Sequence, residues 1–318
     1  MKPDIPSFIE LRSGSKPVMA RALAAVEQSM ENPAVLALLD AASNAARAHV
    51  IGLTGPPGVG KSTLINALLK IWRHQGRTVG VIAVDPTSRK TGGALLGDRT
   101  RLSTDPEDNG VFVRSMAARE RLGGLAALTL PAMILMRAVY DVVLIETVGI
   151  GQSETDVANV SDTVIFCIQP GSGDSLQFMK AGIMEVPHIA VVTKSDMSTA
   201  ARRAKADVEG ALGLSETGTG QWMAPVLLLS AARQDGIDEL VREIDRHQDW
   251  LAQSGEGART RTRQTRHWLT ELVREQFGQR GLARAQADMS GILDQGAQSS
   301  PFSSASQIME MLQTPLSH

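Results

Sequence analysis

Short, continuous apolar runs alternate along this chain with longer stretches in which apolar residues recur at helical spacing. Seven runs rich in Val and Ile predict strands, over 49–54, 79–84, 111–113, 142–146, 163–168, 189–193 and 226–229. Helices are predicted between them over 61–74, 131–139, 199–212 and 237–251. Strands apolar on both faces that alternate with helices are typical of a mostly parallel sheet covered on both sides. The pattern therefore predicts an α/β fold with helices on both faces of the sheet.

The two ends of the chain have a different pattern, because helical spacing is not interrupted by strands there. Residues 17–29 and 33–46 predict two helices before the first strand. The segment 253–259 is rich in Gly, Ser and Ala and predicts a hinge or linker. A weak helix is predicted over 304–312. The expected parts are a helical N-terminal extension, an α/β domain and a helical C-terminal arm, over 1–48, 49–252 and 253–318.

An amphipathic helix is predicted at the start of the arm, over 260–279. Its stripe includes Trp268, Leu272 and Phe277, which makes an apolar surface too large to leave in water on a monomer. We therefore expect a symmetric homodimer through this helix.

Composition excludes several classes of protein. Lys and Arg number 32 against 34 Asp and Glu, so the chain has no excess of positive charge for nucleic acid or an anionic membrane. With six Phe, four Trp and one Tyr, it also has few aromatic residues on which bases could stack, and we expect it to bind neither nucleic acid nor a membrane. Cys167 stands alone within a predicted buried strand, which excludes an internal disulfide and a Cys-based metal cage. The longest apolar stretch, 125–136, is too short to span a bilayer and contains Pro131. We expect a cytoplasmic protein.

The strongest chemical signal is the segment 55–62, GPPGVGKS, which lies between a predicted strand and a predicted helix. This is the pattern and context of a P-loop, whose backbone N–H groups surround the β-phosphate of a nucleotide. Lys61 would bridge β- and γ-phosphate oxygens, and the Ser62 hydroxyl would take a Mg²⁺ position. The expected nucleotide-binding residues here are Gly55, Gly58, Val59, Gly60, Lys61, Ser62 and Thr63.

A second phosphate-side signal follows the strand 142–146. Glu146 ends that strand and Gly149 comes three residues later, which is the logic of the D-x-x-G motif of GTPases with Glu in place of Asp. The carboxylate would orient a metal-bound water, and the Gly149 N–H would contact the γ-phosphate. Ile150 holds the place at which Ras-like enzymes carry a water-positioning Gln. Gln152 is the nearest substitute, so slow intrinsic hydrolysis is expected.

The base is expected to be guanine. Residues 193–196, TKSD, follow a strand and are close to N-K-x-D, in which Asp196 would accept from guanine and the Lys194 stem would cover the purine face. Thr193 replaces the usual Asn, which predicts weaker guanine binding rather than a change to adenine. Ser230, Ala231 and Ala232 are similar to the S-A-x loop whose backbone N–H meets guanine O6.

Further motifs give the chain a family resemblance. They are DPTS at 85–88, GGALLGDRTR at 92–101, ETVGIGQSE at 146–154 and PGSGDSLQ at 170–177. Together with the P-loop they resemble the MeaB/ArgK-type P-loop GTPases, the methylmalonyl-CoA mutase-associated GTPases that serve as chaperones of adenosylcobalamin-dependent mutases. The resemblance implies GTP and GDP as ligands with Mg²⁺, a client mutase acting on methylmalonyl-CoA or an isobutyryl-type substrate, and homodimerisation through the arm.

The resemblance also implies roles for particular residues. Asp85 and Asp98 match acidic residues near Mg²⁺ and switch I, which adds both to Ser62 and Glu146 as metal-site residues. The expected catalytic residues are Lys61, Glu146, Gln152 and Asp98. Asp174, Gln177 and Lys180 match the third switch, which relays nucleotide state to the mutase. The segment 185–188, EVPH, departs from the family's acidic segment.

Two alternative functions stay open at this point. A P-loop kinase acting on a small molecule or a protein would use the same phosphate loop, but it gives no reason for the TKSD segment. A metallochaperone GTPase of the hydrogenase or urease type would need Cys or His metal ligands, and the chain has one Cys and no His cluster in sequence.

Overall fold

The computed structural model describes residues 4–85, 102, 105–117, 128–147, 156–171, 186–213, 221–295 and 300–313. Side chains are described for the same residues except 85, 117 and 287–295. The contacts group the chain into two compact units. One is drawn from Met1–Ala48, Ala127–Tyr140 and Ala258–His318, and the other from His49–Ala126 and Asp141–Gly257. The three-part division stays a prediction, and each unit is described by itself.

Seven strands and nine α-helices lie within the described residues. The strands are β1 His49–Thr54, β2 Val79–Asp85, β3 Val111–Ala117, β4 Val142–Glu146, β5 Thr163–Ile168, β6 Ile189–Val192 and β7 Val226–Leu228. The helices are α1 Phe8–Arg12, α2 Lys16–Gln28, α3 Pro33–Asn44, α4 Lys61–His74, α5 Thr129–Val139, α6 Ser198–Leu212, α7 Ile237–Ser254, α8 Glu256–Gln295 and α9 Pro301–Gln313.

All seven strands form one sheet in the second unit, with the order β3-β2-β4-β1-β5-β6-β7 and parallel pairing throughout. β1 lies at the centre, between β4 and β5. Because the strands are parallel, their carboxyl ends meet at one edge, and the order reverses on either side of β1. Ligands of open α/β sheets bind at such a point.

Helices cover both faces of this sheet, as the alternation of strands and helices predicted. On one face Ile51, Leu144 and Ile165 lie in a cluster with residues of α4 and α7. On the other face Phe166 and Val192 lie in a cluster with residues of α6. Successive residues of a strand point to opposite faces, so strands that are buried throughout read as unbroken apolar runs. The α/β prediction is confirmed.

The segment 253–259, predicted as a hinge or linker, is not an extended linker. α7 continues to Ser254, and α8 begins at Glu256, so that only Gly255 departs from helical geometry, with φ +70°. A glycine in the left-handed region is a common helix terminator because it has no Cβ to clash. α8 includes the predicted helix 260–279 and extends beyond it, with a kink at Gly278.

The first unit is helical. α5 is buried along its whole length and packs against α1, α2 and α3, while α9 packs against α3. The short helix α1 was not predicted, although its signal is present. Ser7 and Glu10 form a capping box, in which each side chain bonds to the backbone N–H of the other residue.

The apolar stripe of α8 is covered within the single chain. Trp268 is 8% exposed and its ring lies edge-on to Phe302 of α9, with centroids 5.3 Å apart. Leu272 is also buried, and Phe277 is half-buried. The premise that this stripe would be wet on a monomer is therefore wrong, because α9 supplies its partner. In the part of the chain that the structure describes, no helix combines the length and the apolar character needed to cross a bilayer.

Candidate functional site

The P-loop follows β1 and runs into the first turn of α4, which begins at Lys61. Gly55, Gly58 and Gly60 all have positive φ, at 133°, 75° and 105°. At Gly55 a glycine is also required by space, because a Cβ would lie 2.3 Å from the Cys167 carbonyl oxygen on β5. Gly60 caps the N-terminus of α4, so the loop delivers the chain directly into a helix start. N–H groups at such a start, with the helix dipole, make an anion site.

Lys61 lies at the base of this loop with its side chain 7% exposed. Its Nζ donates to the carbonyl oxygens of Gly55, at 2.7 Å, and Pro56, at 3.2 Å. The ammonium is thus held beside the backbone that the P-loop pattern assigns to phosphate binding. A buried ammonium in this position supplies the charge that a triphosphate requires.

Ser62 and Glu146 meet across the loop. The Ser62 Oγ donates to Glu146 Oε1 at 3.0 Å, and Glu146 is 4% exposed. The pair arises from strand register, because Glu146 lies opposite Leu53 on the neighbouring strand β1. Beyond it Thr147 Oγ1 donates to Thr54 Oγ1 at 3.0 Å, which holds the ends of β4 and β1 together. A hydroxyl and a carboxylate are the oxygen donors that hard divalent cations prefer.

The loop after β6 is tied to the P-loop by side chains. Thr193 is buried, and its Oγ1 donates to the carbonyl oxygen of Val59 at 2.8 Å, with the Ile168 carbonyl at 3.2 Å. Lys194 Nζ donates to the carbonyl of Gly58 at 3.2 Å. Thr193 therefore supplies the brace to the P-loop that its replacement of Asn had put in question.

Asp196 is positioned by the loop that follows β7. The Ser230 hydroxyl donates to Asp196 Oδ1 at 2.9 Å, and this bond, together with a backbone hydrogen bond, holds the pKa of the Asp196 carboxyl below its ordinary value. The carboxylate is exposed and ionised, so it is available to accept from a base. Ala231 and Ala232 follow in the same loop, where Ser230 pairs with Asp235 in a short antiparallel bridge.

Two residues with strained backbone lie in the loops after β6 and β7. Among the described residues that are not glycine, Lys194 and Gln234 have positive φ, at 54° and 60°. Lys194 lies in the loop after β6 and Gln234 in the loop after β7. Such residues cost free energy and persist where the surrounding structure holds them, which is frequently at a binding site.

The structure brings the predicted phosphate and base residues to one edge of the sheet, but it does not describe all of the site. Asp85 is the last residue of β2, and its side chain lies outside the described residues. The remaining expected residues also lie outside them: Asp98, Gly149, Gln152, Asp174, Gln177 and Lys180. Among the described side chains, no group of three or more His, Cys, Asp or Glu could hold a metal ion.

Sequence reasoning missed Gln169. It directly follows β5, and its Oε1 accepts from Lys194 Nζ at 2.9 Å. Its position in the sequence could have identified it, because a polar residue directly after a buried parallel strand lies at the edge of the sheet where ligands bind. The neighbouring Cys167 is buried, as its place in an apolar run predicted, and burial raises the pKa of its thiol to about 12.

The parallel sheet, the phosphate loop and the two base-side loops together define a P-loop GTPase. The chain belongs to the MeaB family, because the family model described as "Methylmalonyl Co-A mutase-associated GTPase MeaB" matches residues 19–286. The "GTPase ArgK" of Escherichia coli strain K12 is 36% identical over 279 residues, which are 85% of this chain and 83% of that protein.

Two further similarities come from a mouse protein and a solved structure. The "Methylmalonic aciduria type A homolog, mitochondrial" of Mus musculus is 39% identical over 228 residues, covering 71% of this chain and 55% of the mouse protein. A solved structure titled "Crystal structure of LAO/AO transport system kinase" has a TM-score of 0.67 and 29% identity, and covers 96% of each chain. Membership in the MeaB family makes this chain a GTP hydrolase.

Proposed function

We propose that this GTPase gates the loading of adenosylcobalamin on a B12-dependent acyl-CoA mutase and protects that mutase. The observation that carries the nucleotide part is the Ser62–Glu146 pair at 3.0 Å, on the same sheet edge as Asp196 and Ser230. The family description, which names methylmalonyl Co-A mutase, supports the client. The name of the mouse relative, which refers to methylmalonic aciduria, points in the same direction.

In this proposal each described residue has one task. Lys61 turns from the Gly55 carbonyl to the β- and γ-phosphates, and the P-loop N–H groups hold the β-phosphate. Asp196 accepts from guanine while Ser230 holds its carboxylate, and the Lys194 stem covers the purine. Ser62 and Glu146, with Asp85 and Asp98, would hold Mg²⁺. That ion would supply positive charge to the phosphate oxygens.

Hydrolysis is proposed to be slow in the free protein and faster in the complex. Gln152 is the expected water-positioning residue, and Asp174, Gln177 and Lys180 are the expected relay to the mutase. Completing a GTPase site in trans accelerates hydrolysis by roughly 10³–10⁵-fold in well-studied cases. If nucleotide and partner are coupled in this way, nucleotide state must also change the affinity for the partner.

The test is GTP hydrolysis measured across a titration with purified adenosylcobalamin-dependent mutases, one for methylmalonyl-CoA and one for isobutyryl-CoA. We expect one of them to accelerate turnover, and Gln152→Ala and Lys180→Ala to reduce that acceleration. Lys70→Ala is the matched control, because Lys70 is exposed on α4. Fast hydrolysis by the protein alone, unaltered by either mutase, would overturn the switch and favour an independent enzyme.

Two finer features also belong to this proposal. A homodimer through the C-terminal arm is supported by the family resemblance, but no longer by an uncovered apolar stripe. A cytoplasmic location is supported by the chain's single Cys, which is buried as a free thiol. Both features stay predictions.

A further inference from the structure

Gln169 lies between the two halves of the nucleotide site. It directly follows β5, which pairs with β1 on one side and with β6 on the other. The P-loop continues from β1 and the TKSD loop continues from β6. The half-buried Gln169 side chain is therefore at the position from which both loops can be reached.

Lys194 is held by its tip. Its Nζ donates to Gln169 Oε1 at 2.9 Å and to the Gly58 carbonyl at 3.2 Å. The backbone of Lys194 is in the left-handed region, at φ 54° and ψ 43°, which costs a residue with a Cβ free energy. Two hydrogen bonds from a charged donor compensate for such strain, because charge-assisted bonds are stronger than neutral ones.

The shorter of the two bonds comes from a side chain rather than from the P-loop. On the side of Gly58 where a Cβ would lie, no atom outside its chain neighbours comes within 4 Å, so nothing packs against the loop there. Gln169 stands instead at the end of a buried strand, next to the buried Pro170. The glutamine is thus the firmer of the two anchors for the lysine.

We propose that Gln169 is a positioning residue for guanine-nucleotide binding, which holds the Lys194 stem where it covers the purine face. This inference rests on the proposed guanine-nucleotide site and adds a residue to it. Gln169 is assigned to base binding through its bond to Lys194, whose stem is proposed to cover the purine. Removing its acceptor should lower the affinity for ligands that carry a base and leave the affinity for ligands that consist of phosphate only unchanged.

The test compares the affinities of the full chain for GDP and for inorganic pyrophosphate, by calorimetry at one Mg²⁺ concentration. Gln169→Met keeps the size of the side chain and removes the acceptor. We expect it to lower the GDP-to-pyrophosphate affinity ratio by about 3- to 10-fold, the effect of one hydrogen bond to a charged group at a half-exposed site. Gln169→Glu keeps an acceptor and should restore the ratio to within about twofold, even if its charge weakens both ligands.

Two controls separate this role from a structural one. Gln248→Ala, an exposed glutamine on α7, should leave the ratio unchanged. In a Lys194→Met background, Gln169→Met should have no further effect on the ratio, because the two residues act through one bond. Gln169→Asn has a side chain one carbon shorter, which moves the acceptor away from Lys194. It should lower the GDP-to-pyrophosphate affinity ratio as Gln169→Met does, and it replaces that variant if the Gln169→Met chain fails to fold.

An unchanged ratio in Gln169→Met and Gln169→Asn, or equal loss of both ligands in these two variants, would overturn this inference and leave the proposed function intact. Wild-type protein that binds pyrophosphate as tightly as GDP would overturn the guanine site and this inference with it.

Discussion

The Thr193 hydroxyl donates to the carbonyl oxygen of Val59 across 2.8 Å, so the loop after β6 is bonded directly to the P-loop. Thr193 stands where N-K-x-D proteins carry Asn, and its hydroxyl has one proton to give. That proton goes to the P-loop, so the nearby Ile168 carbonyl relies on its bond from the Thr193 N–H, at 2.9 Å.

Removing this hydroxyl is expected to weaken GDP binding. Thr193→Val keeps the shape of the side chain but leaves the buried Val59 carbonyl without its donor, a cost of about 1–2 kcal/mol. To the extent that the ligand-free loops relax to avoid this cost and the bound loops do not, GDP binding weakens, by up to about tenfold. Thr193→Ser keeps the hydroxyl and is the matched control. Calorimetric titration with GDP measures both, and equal affinities for the two variants would show that the bond is not used.

The charge of Lys61 is expected to be essential. Lys61→Ala should weaken GTP binding by about 100-fold and abolish hydrolysis, because hydrogen bonds to a charged group contribute roughly 1.5–3 kcal/mol. Lys70→Ala changes an exposed lysine of the same helix and should bind normally. Turnover near the wild-type rate in Lys61→Ala would contradict the assignment of residues 55–62 to phosphate binding.

The base preference is expected to depend on Asp196. Asp196→Asn replaces two acceptor oxygens by one acceptor and one donor, so the variant should lose guanine by about 10²-fold or more and gain affinity for xanthine nucleotides. Ser230→Ala removes only the bond that orients the carboxylate and should cause a smaller loss without a change of base. Competition with GDP, XDP and ADP measures these effects; a wild-type protein with equal affinity for ADP and GDP would refute the assignment.

The stability of the sheet unit is expected to fall in mild acid because of two neighbouring histidines. The rings of His188 and His247 lie 4.4 Å apart, and Thr163 Oγ1 lies 2.7 Å from both His247 Nδ1 and His49 Nε2. Burial, with the nearby His49, lowers the pKa of His188 to about 4. Burial, with His188 and His49, lowers that of His247 to about 2.

The direction of this change in stability with pH follows from proton uptake. Below the pKa of about 6.5 that a histidine has in the unfolded chain, the unfolded chain binds protons at these two histidines, whereas the folded chain leaves them neutral. Stability is therefore complete above pH 6.5 and falls between pH 6.5 and 5 by up to about 1.4 kcal/mol per histidine and pH unit. Denaturant unfolding across this range measures it. His247→Gln should reduce the slope, whereas substituting the exposed His267 should not.

The arm is expected to be held within its own chain. Trp268→Ala should destabilise the helical unit by about 3 kcal/mol, because it removes a large buried ring that contacts Phe302. Light scattering and thermal unfolding over a range of concentrations give the result. A variant that is less stable but unchanged in oligomeric state supports burial within the chain, whereas conversion of a dimer to a monomer would place Trp268 in the interface.

The sequence by itself was sufficient for features that depend on neighbouring residues. α4 begins at Lys61 and ends at His74 as predicted, because the P-loop precedes it and helical spacing continues through it. The strands also begin where unbroken apolar runs predicted them, although β3, predicted over 111–113, continues through Arg114 and Ser115 to Ala117. The small residues of 253–259 left a hinge and a linker equally open, and the structure shows no extended linker, because helix continues on both sides of the single turn at Gly255.

Only the tertiary structure decided which distant residues meet. Gln169 and Lys194 are 25 residues apart, Thr193 and Val59 are 134 apart, and Ser62 and Glu146 are 84 apart. The P-loop and TKSD patterns each indicated a separate binding segment, but the hydrogen bonds between these segments depend on the strand order and register of the sheet. Likewise, the stripe at Trp268 looks the same in sequence whether Phe302 or a second chain covers it. Burial is a property of the whole packed fold, and a local pattern does not contain it.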